Sequence, residues 1–179
     1  MKWVTRETVH LDRVASPWLI SRFIDPDAEF VFIDPSQPYP DDATPFALPG
    51  VALGMHDHEG TTFDKILRAY RLDAPVLYDM ADIIRAAVRH VLEEDTSQTP
   101  EAVVNQGIAL AMISEGVMLK RVGDQAIIDA SMEVYDALFA ALWARRVDPR
   151  TGRDVFWERM ASLRTSWRRE MPLGPARSE

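Results

Sequence analysis

The chain contains no cysteine. Disulfides, thiolate metal sites and cysteine nucleophiles are therefore excluded. Histidine is scarce, with four in 179 residues. There is no GxSxG, no glycine-rich phosphate loop and no dinucleotide-binding fingerprint, so serine hydrolase, nucleotide-binding and dehydrogenase readings have no support. No apolar run approaches the roughly 20 residues that a membrane helix needs. The N-terminal MKWVTRETVHLDR is polar and lacks the apolar core of a signal peptide. The expectation is a soluble, cytoplasmic protein. No internal repeat is visible.

Hydrophobic residues make up 47% of the chain and charged residues 27%. That supports one domain with a sizeable core rather than a disordered chain. The net charge of −8 is unevenly spread. Residues 143–179 hold nine arginines and five acids, a balance of +4, whereas residues 1–142 carry −12. An acidic body repels nucleic acid at long range, so direct nucleic-acid binding by this chain alone is not expected. The basic tail could contact phosphate, but the favoured reading is that it folds against its own acidic body and needs no other partner.

The pattern reads as α+β: a few short N-terminal strands followed by about five helices, helix-dominated overall. KWVTRETV is strand-like at its start. In SPWLISRFI, Ser16 is placed to cap a helix with Pro17 at its first position, and Asp25-Pro26 closes it. Residues 28–34 form a strand. Five prolines make residues 35–49 a loop. FALPGVALGM then returns as a short strand ending at a histidine cluster. Thr61 or Thr62 caps a helix with Asp64 in its first turn. Further helices start after Pro75, at Thr99-Pro100-Glu101 and after Gly123-Asp124. A last helix carries the stripe Phe156, Met160, Leu163 and Trp167. Residues 1–147 are read as the main domain and 148–179 as a basic amphipathic helix and tail.

Two clusters could carry chemistry. In GMHDHEGTTFD, a strand would put His56 and His58 on one face. Two imidazoles can hold zinc or iron, and Asp64 could fold back as an oxygen ligand. The same residues also suit a solvated loop in which Asp64 holds the helix start. In HLDRVASPWLISRF, Arg13 and Arg22 offer planar guanidinium forks for an oxyanion, with Trp18 as apolar bulk. The alternative is that Arg13 pairs with a structural carboxylate and Arg22 snorkels. His10 reads as a strand-end residue.

HLDRVASPWLISRFIDPDAEF resembles the chromate resistance family, the ChrB-type domain, whose pattern runs DR-x-A-x-x-WLI-x-RFID-x-x-A-x-F. Asp12, Arg13, Ala15, Trp18, Leu19, Ile20, Arg22, Phe23, Ile24, Asp25, Ala28 and Phe30 match. His58, Gly60, Thr62, Phe63 and Asp64 stand in the family's second block, and Tyr135 to Leu138 resemble its closing helix. The resemblance spans about residues 1–145. Arg85 stands where the family often has a histidine, Asp64 where it has glutamate, and Ser16 where it often has cysteine. Larger members carry an extra N-terminal region linked to regulation, and the expectation is the sensing or accessory domain without it.

The resemblance implies a chromate- or oxyanion-responsive sensing or accessory protein. Arg13 and Arg22, with Trp18, would hold the anion, and His58 with Asp64, joined by His56, would hold a divalent transition metal. The alternative is a metal-dependent enzyme of unknown reaction, with Glu59 as general base beside the same metal. The apolar stripe of the last helix must bury against the chain's own body or a second copy, and the reading leans towards a homodimer.

Overall fold

Trp3, Val4 and Thr5 are fully buried, as befits a strand covered on both faces. They lie in β1 (Lys2–Arg6), which pairs in parallel with β2 (Glu29–Ile33) on one side and β3 (Ala43–Pro45) on the other. Parallel neighbours need a crossover, and α1 (Asp12–Phe23) supplies it between β1 and β2. Five helices follow: α2 (Thr62–Ala69), α3 (Pro75–Val91), α4 (Glu101–Lys120), α5 (Asp124–Val147) and α6 (Arg153–Glu170). This computed structural model describes residues 1–34 and 36–170, and the expected C-terminal tail, 171–179, lies outside them. The architecture is the helix-dominated α+β fold expected.

Three local expectations are corrected. Helix α1 starts at Asp12, so Pro17 sits inside it and Ser16 caps nothing. Its start is set by distant partners. The Leu11 N–H donates to Ser114 Oγ, the Leu11 carbonyl accepts from Tyr135 Oη, and Leu11 itself adopts φ 44°. The return strand lies earlier than expected, at β3 inside the proline-rich stretch, where Pro45 is tolerated on an edge. Beyond it, only an isolated bridge joins Phe46 to Leu53. Finally, α4 is long and apolar enough to cross a membrane by length and composition, although Glu101, Glu115 and Lys120 lie within it. In this fold one of its faces packs on α3, while Met112, Ile113 and Leu119 are exposed.

The other helix starts are as read. Thr61 caps α2 in a full capping box with Asp64. Pro75 opens α3, and α5 begins at Asp124.

The stripe of α6 meets its own domain. Leu163 is buried, and Trp167 packs its ring 5.1 Å from Trp143 and 6.2 Å from Phe139, both on α5. Arg159 closes the hairpin by donating to the carbonyls of Ala144 and Asp148 at the end of α5. Phe156 stays exposed. Two of the four stripe residues, Leu163 and Trp167, are thus covered within the chain. Trp167→Ala should lower unfolding free energy by about 2 kcal/mol without changing the mass seen by light scattering. A change of mass would show that Trp167 also serves a contact between copies of the chain.

Candidate functional site

The carboxyl end of the central strand β1 opens into a cavity of about 280 Å³. Crevices at the carboxyl ends of parallel strands are common ligand sites. Its polar lining comes from Arg6 at the end of β1, His10 in the following loop, Asp12 and Arg13 at the start of α1, and His56 and Thr62. Met55, Val88, Val91 and Leu92 supply an apolar wall.

The loop carrying His10 is held in place from behind. The Asp124 carboxylate accepts the main-chain N–H groups of Thr8 and Val9 at 3.0 and 2.7 Å. Leu11 is tied to Ser114 and Tyr135 as above. These anchors fix the approach of Arg6, His10 and Arg13 to one another.

Arg13 does not meet a carboxylate. Its Nη1 donates to the main-chain carbonyls of Glu7 at 2.9 Å and Arg6 at 3.4 Å. Burial, and then the neighbouring Arg6 charge, bring its pKa down to about 10, so it stays cationic at neutral pH. Among the described residues neither Arg6 nor Arg13 forms an ion pair. Three buried nitrogens on lining residues have no hydrogen-bond partner among the described residues: Arg6 Nε, His10 Nε2 and His56 Nδ1. Buried nitrogens without a partner cost free energy and call for an explanation; Arg6 Nε is a donor, while each ring nitrogen donates or accepts according to its tautomer.

Asp12 is the cavity's one carboxylate, and it is already engaged. Its two oxygens accept the N–H groups of Thr62 at 2.8 Å and Phe63 at 3.0 Å, closing the N-terminus of α2. Burial pushes its carboxyl above the usual range, opposed by those two bonds.

The remaining residues expected at an anion site lie elsewhere. Arg22 forms a two-pronged pair with Asp136, Nε to Oδ1 at 3.0 Å and Nη2 to Oδ2 at 2.7 Å. Trp18 is fully buried and donates its indole N–H to the same carboxylate at 2.7 Å. Both side chains thus tie α1 to α5 and do not line the cavity. Of the three expected anion residues, only Arg13 lines it.

The expected metal ligands are not brought together. Asp57 and Gly60 pair across a tight turn, with Gly60 at φ 114°. His58 and Glu59 are the exposed tip of that turn rather than part of a strand. His56 Nε2 lies 3.0 Å from Glu94. Asp64 is buried, accepts from Thr61, and pairs with Arg85 at 2.6 Å. The guanidinium at the position where the family often has histidine therefore neutralises the carboxylate that a metal would need. Among the described residues no group of three histidine, aspartate or glutamate side chains could hold a metal ion. These residues do not fit a divalent metal, and Glu59 has no such site to serve.

Arg6 carries no expectation in the sequence, and His10 reads there as a strand-end residue, whereas both line the cavity. The signal available was RETVHLDR, in which three basic side chains recur at spacings of four and three across a strand–helix junction.

The chain matches the family model described as "ChrB, C-terminal domain" over residues 3–142. It is 31% identical over 138 residues to Protein ChrB of Cupriavidus metallidurans, covering 77% of this chain and 40% of that protein. The chain thus spans about 40% of the length of the relative it matches. No solved structure matches. The HLDRVASPWLISRF segment, the turn at His58 and the closing helix at Tyr135 all fall within the matched region, and the chain belongs to the ChrB C-terminal-domain family of chromate resistance proteins.

Proposed function

We propose that this domain is the oxyanion-responsive part of a chromate resistance system, and that chromate or a similar tetrahedral anion enters the cavity at the end of β1. One observation carries the reading. Two guanidinium groups without a carboxylate partner among the described residues, one of them with an unpartnered Nε, line a single cavity together with two unpartnered imidazole nitrogens. An oxyanion offers what is missing there, negative charge and several acceptor oxygens. The cavity volume far exceeds the roughly 30 Å³ share of one water, so a small oxyanion fits with some of its hydration. The carboxylate that could compete, Asp12, is held on α2.

Equilibrium dialysis or calorimetry with chromate tests this on the full chain. Arg13→Gln should weaken binding by roughly ten- to a hundredfold, the loss of a charge-assisted contact. Arg22→Gln should leave affinity unchanged while lowering stability, because Arg22 serves Asp136. Equal affinities for Arg13→Gln and the parent, or no chromate binding by the parent, would sink the proposal.

A further inference from the structure

His10 is the one lining residue whose charge can change on binding without disturbing a pair already made. His56 already faces Glu94, and Asp12 already holds two N–H groups. His10 Nε2 is buried and has no partner. A protonated ring there would place an unsatisfied N–H and a positive charge in a poorly solvated place beside Arg13, an expensive arrangement. A neutral ring avoids it. Once an oxyanion sits among Arg6, Arg13 and His10, the balance reverses, because the anion supplies both an acceptor and the opposing charge. From this geometry we infer that anion entry is proton-coupled: His10, neutral in the free protein, becomes imidazolium against the bound anion and so favours doubly charged anions over singly charged ones.

This rests on the oxyanion reading above. The charged groups around the ring come from every element packed on the cavity. Arg6 lies on β1, Glu7 in the loop, and Asp12 and Arg13 on α1. His56, which also lines the cavity, pairs with Glu94. Glu115 lies on α4 and Asp124 at the start of α5. Burial is the main influence holding His10 below the ordinary imidazole range; Glu115 opposes it and Arg13 adds to it. The direction of the coupling follows. The free ring titrates low and the bound ring higher, so affinity is greatest at low pH and falls as pH rises through the bound-state value.

Sulfate is the suitable probe, since it stays doubly charged across the working range and contributes no proton of its own. Calorimetry of the full chain near neutral pH, in two buffers of different ionisation enthalpy, counts protons directly. The expected result is uptake approaching one proton per sulfate, with nitrate binding far more weakly. His10→Gln should abolish the uptake and weaken sulfate by roughly tenfold. His10→Asn is the second variant if the first folds poorly, and the two-buffer measurement on the parent needs no variant. Sulfate binding without proton uptake, or uptake that persists in a folded His10 variant, overturns this inference and leaves the oxyanion reading standing. If neither sulfate nor chromate binds the parent, the oxyanion reading falls and this inference with it.

Discussion

Asp12→Ala should destabilise the protein by about 2–3 kcal/mol, a fall in Tm of roughly 5–10 °C for a chain of this size. The side chain is 8% exposed, and its two oxygens take one main-chain N–H each from Thr62 and Phe63. Ser16 Oγ approaches Oδ1 at 3.5 Å from one turn on. Helix α2 thus has two caps. Thr61 satisfies the Asp64 N–H from within the helix, and Asp12 satisfies the two before it from another helix. Alanine would leave those two donors buried and unpaired, each at a cost of about 1–3 kcal/mol. Relief of a buried carboxyl, whose ionisation burial already disfavours, offsets part of the loss. Asparagine discriminates the mechanism. Its amide keeps one acceptor and turns the other towards an N–H as a donor, so Asp12→Asn should lose about half as much. Thermal unfolding by circular dichroism checks both. An unchanged Tm for Asp12→Ala would mean that water reaches the start of α2.

The same residue shows what was legible in the sequence. Asp12 was visible as part of a family-like block, but its work was not, because its partners lie 50 and 51 residues on. Signals carried by near neighbours were readable. Thr61 and Asp64 form a capping box three residues apart, Pro75 opens α3, and the α6 stripe follows helical spacing. Signals that depend on closure of the fold were not. The start of α1 is set by Ser114, Tyr135 and Thr62, so local propensity at Ser16-Pro17 misplaced it. The histidine cluster resembled a strand until Gly60 turned it and put His58 at an exposed tip. Trp18 and Arg22 are expected beside Arg13 at an anion, yet the carboxylate they meet is Asp136 of the same chain. The cavity exists only because the end of β1 meets the end of α3, some 80 residues away. The spacing in RETVHLDR ties Arg6 and His10 to Arg13, but nothing local links any of them to His56, which lines the same cavity.

Gly107→Val should cost about 3 kcal/mol, and the reason lies in the closest approach of α3 and α4, the most extensively paired helices of the fold. A Cβ at position 107 would fall 2.7 Å from the Ala87 nitrogen, 2.8 Å from Ala86 Cβ and 2.9 Å from the Ala86 carbonyl carbon. Two of these are backbone atoms of α3, so no rotamer change can relieve the contact and the helices must part. Parting would loosen the packing of Leu110 and Ala111, which are buried on the same face of α4. Intrinsic propensity pulls the other way. In an exposed helix, alanine is favoured over glycine by about 1 kcal/mol. Gly107→Ala should therefore be a compromise, destabilised by about 1–2 kcal/mol, with valine worse because its branched side chain fills more of the space. The stability order glycine, alanine, valine runs against the helix scale at its first step, which makes it diagnostic. Urea unfolding of the three proteins reads it directly. An alanine variant as stable as the parent, or more so, would show that α4 does not sit this close to α3, and that its apolar surface is arranged against something else.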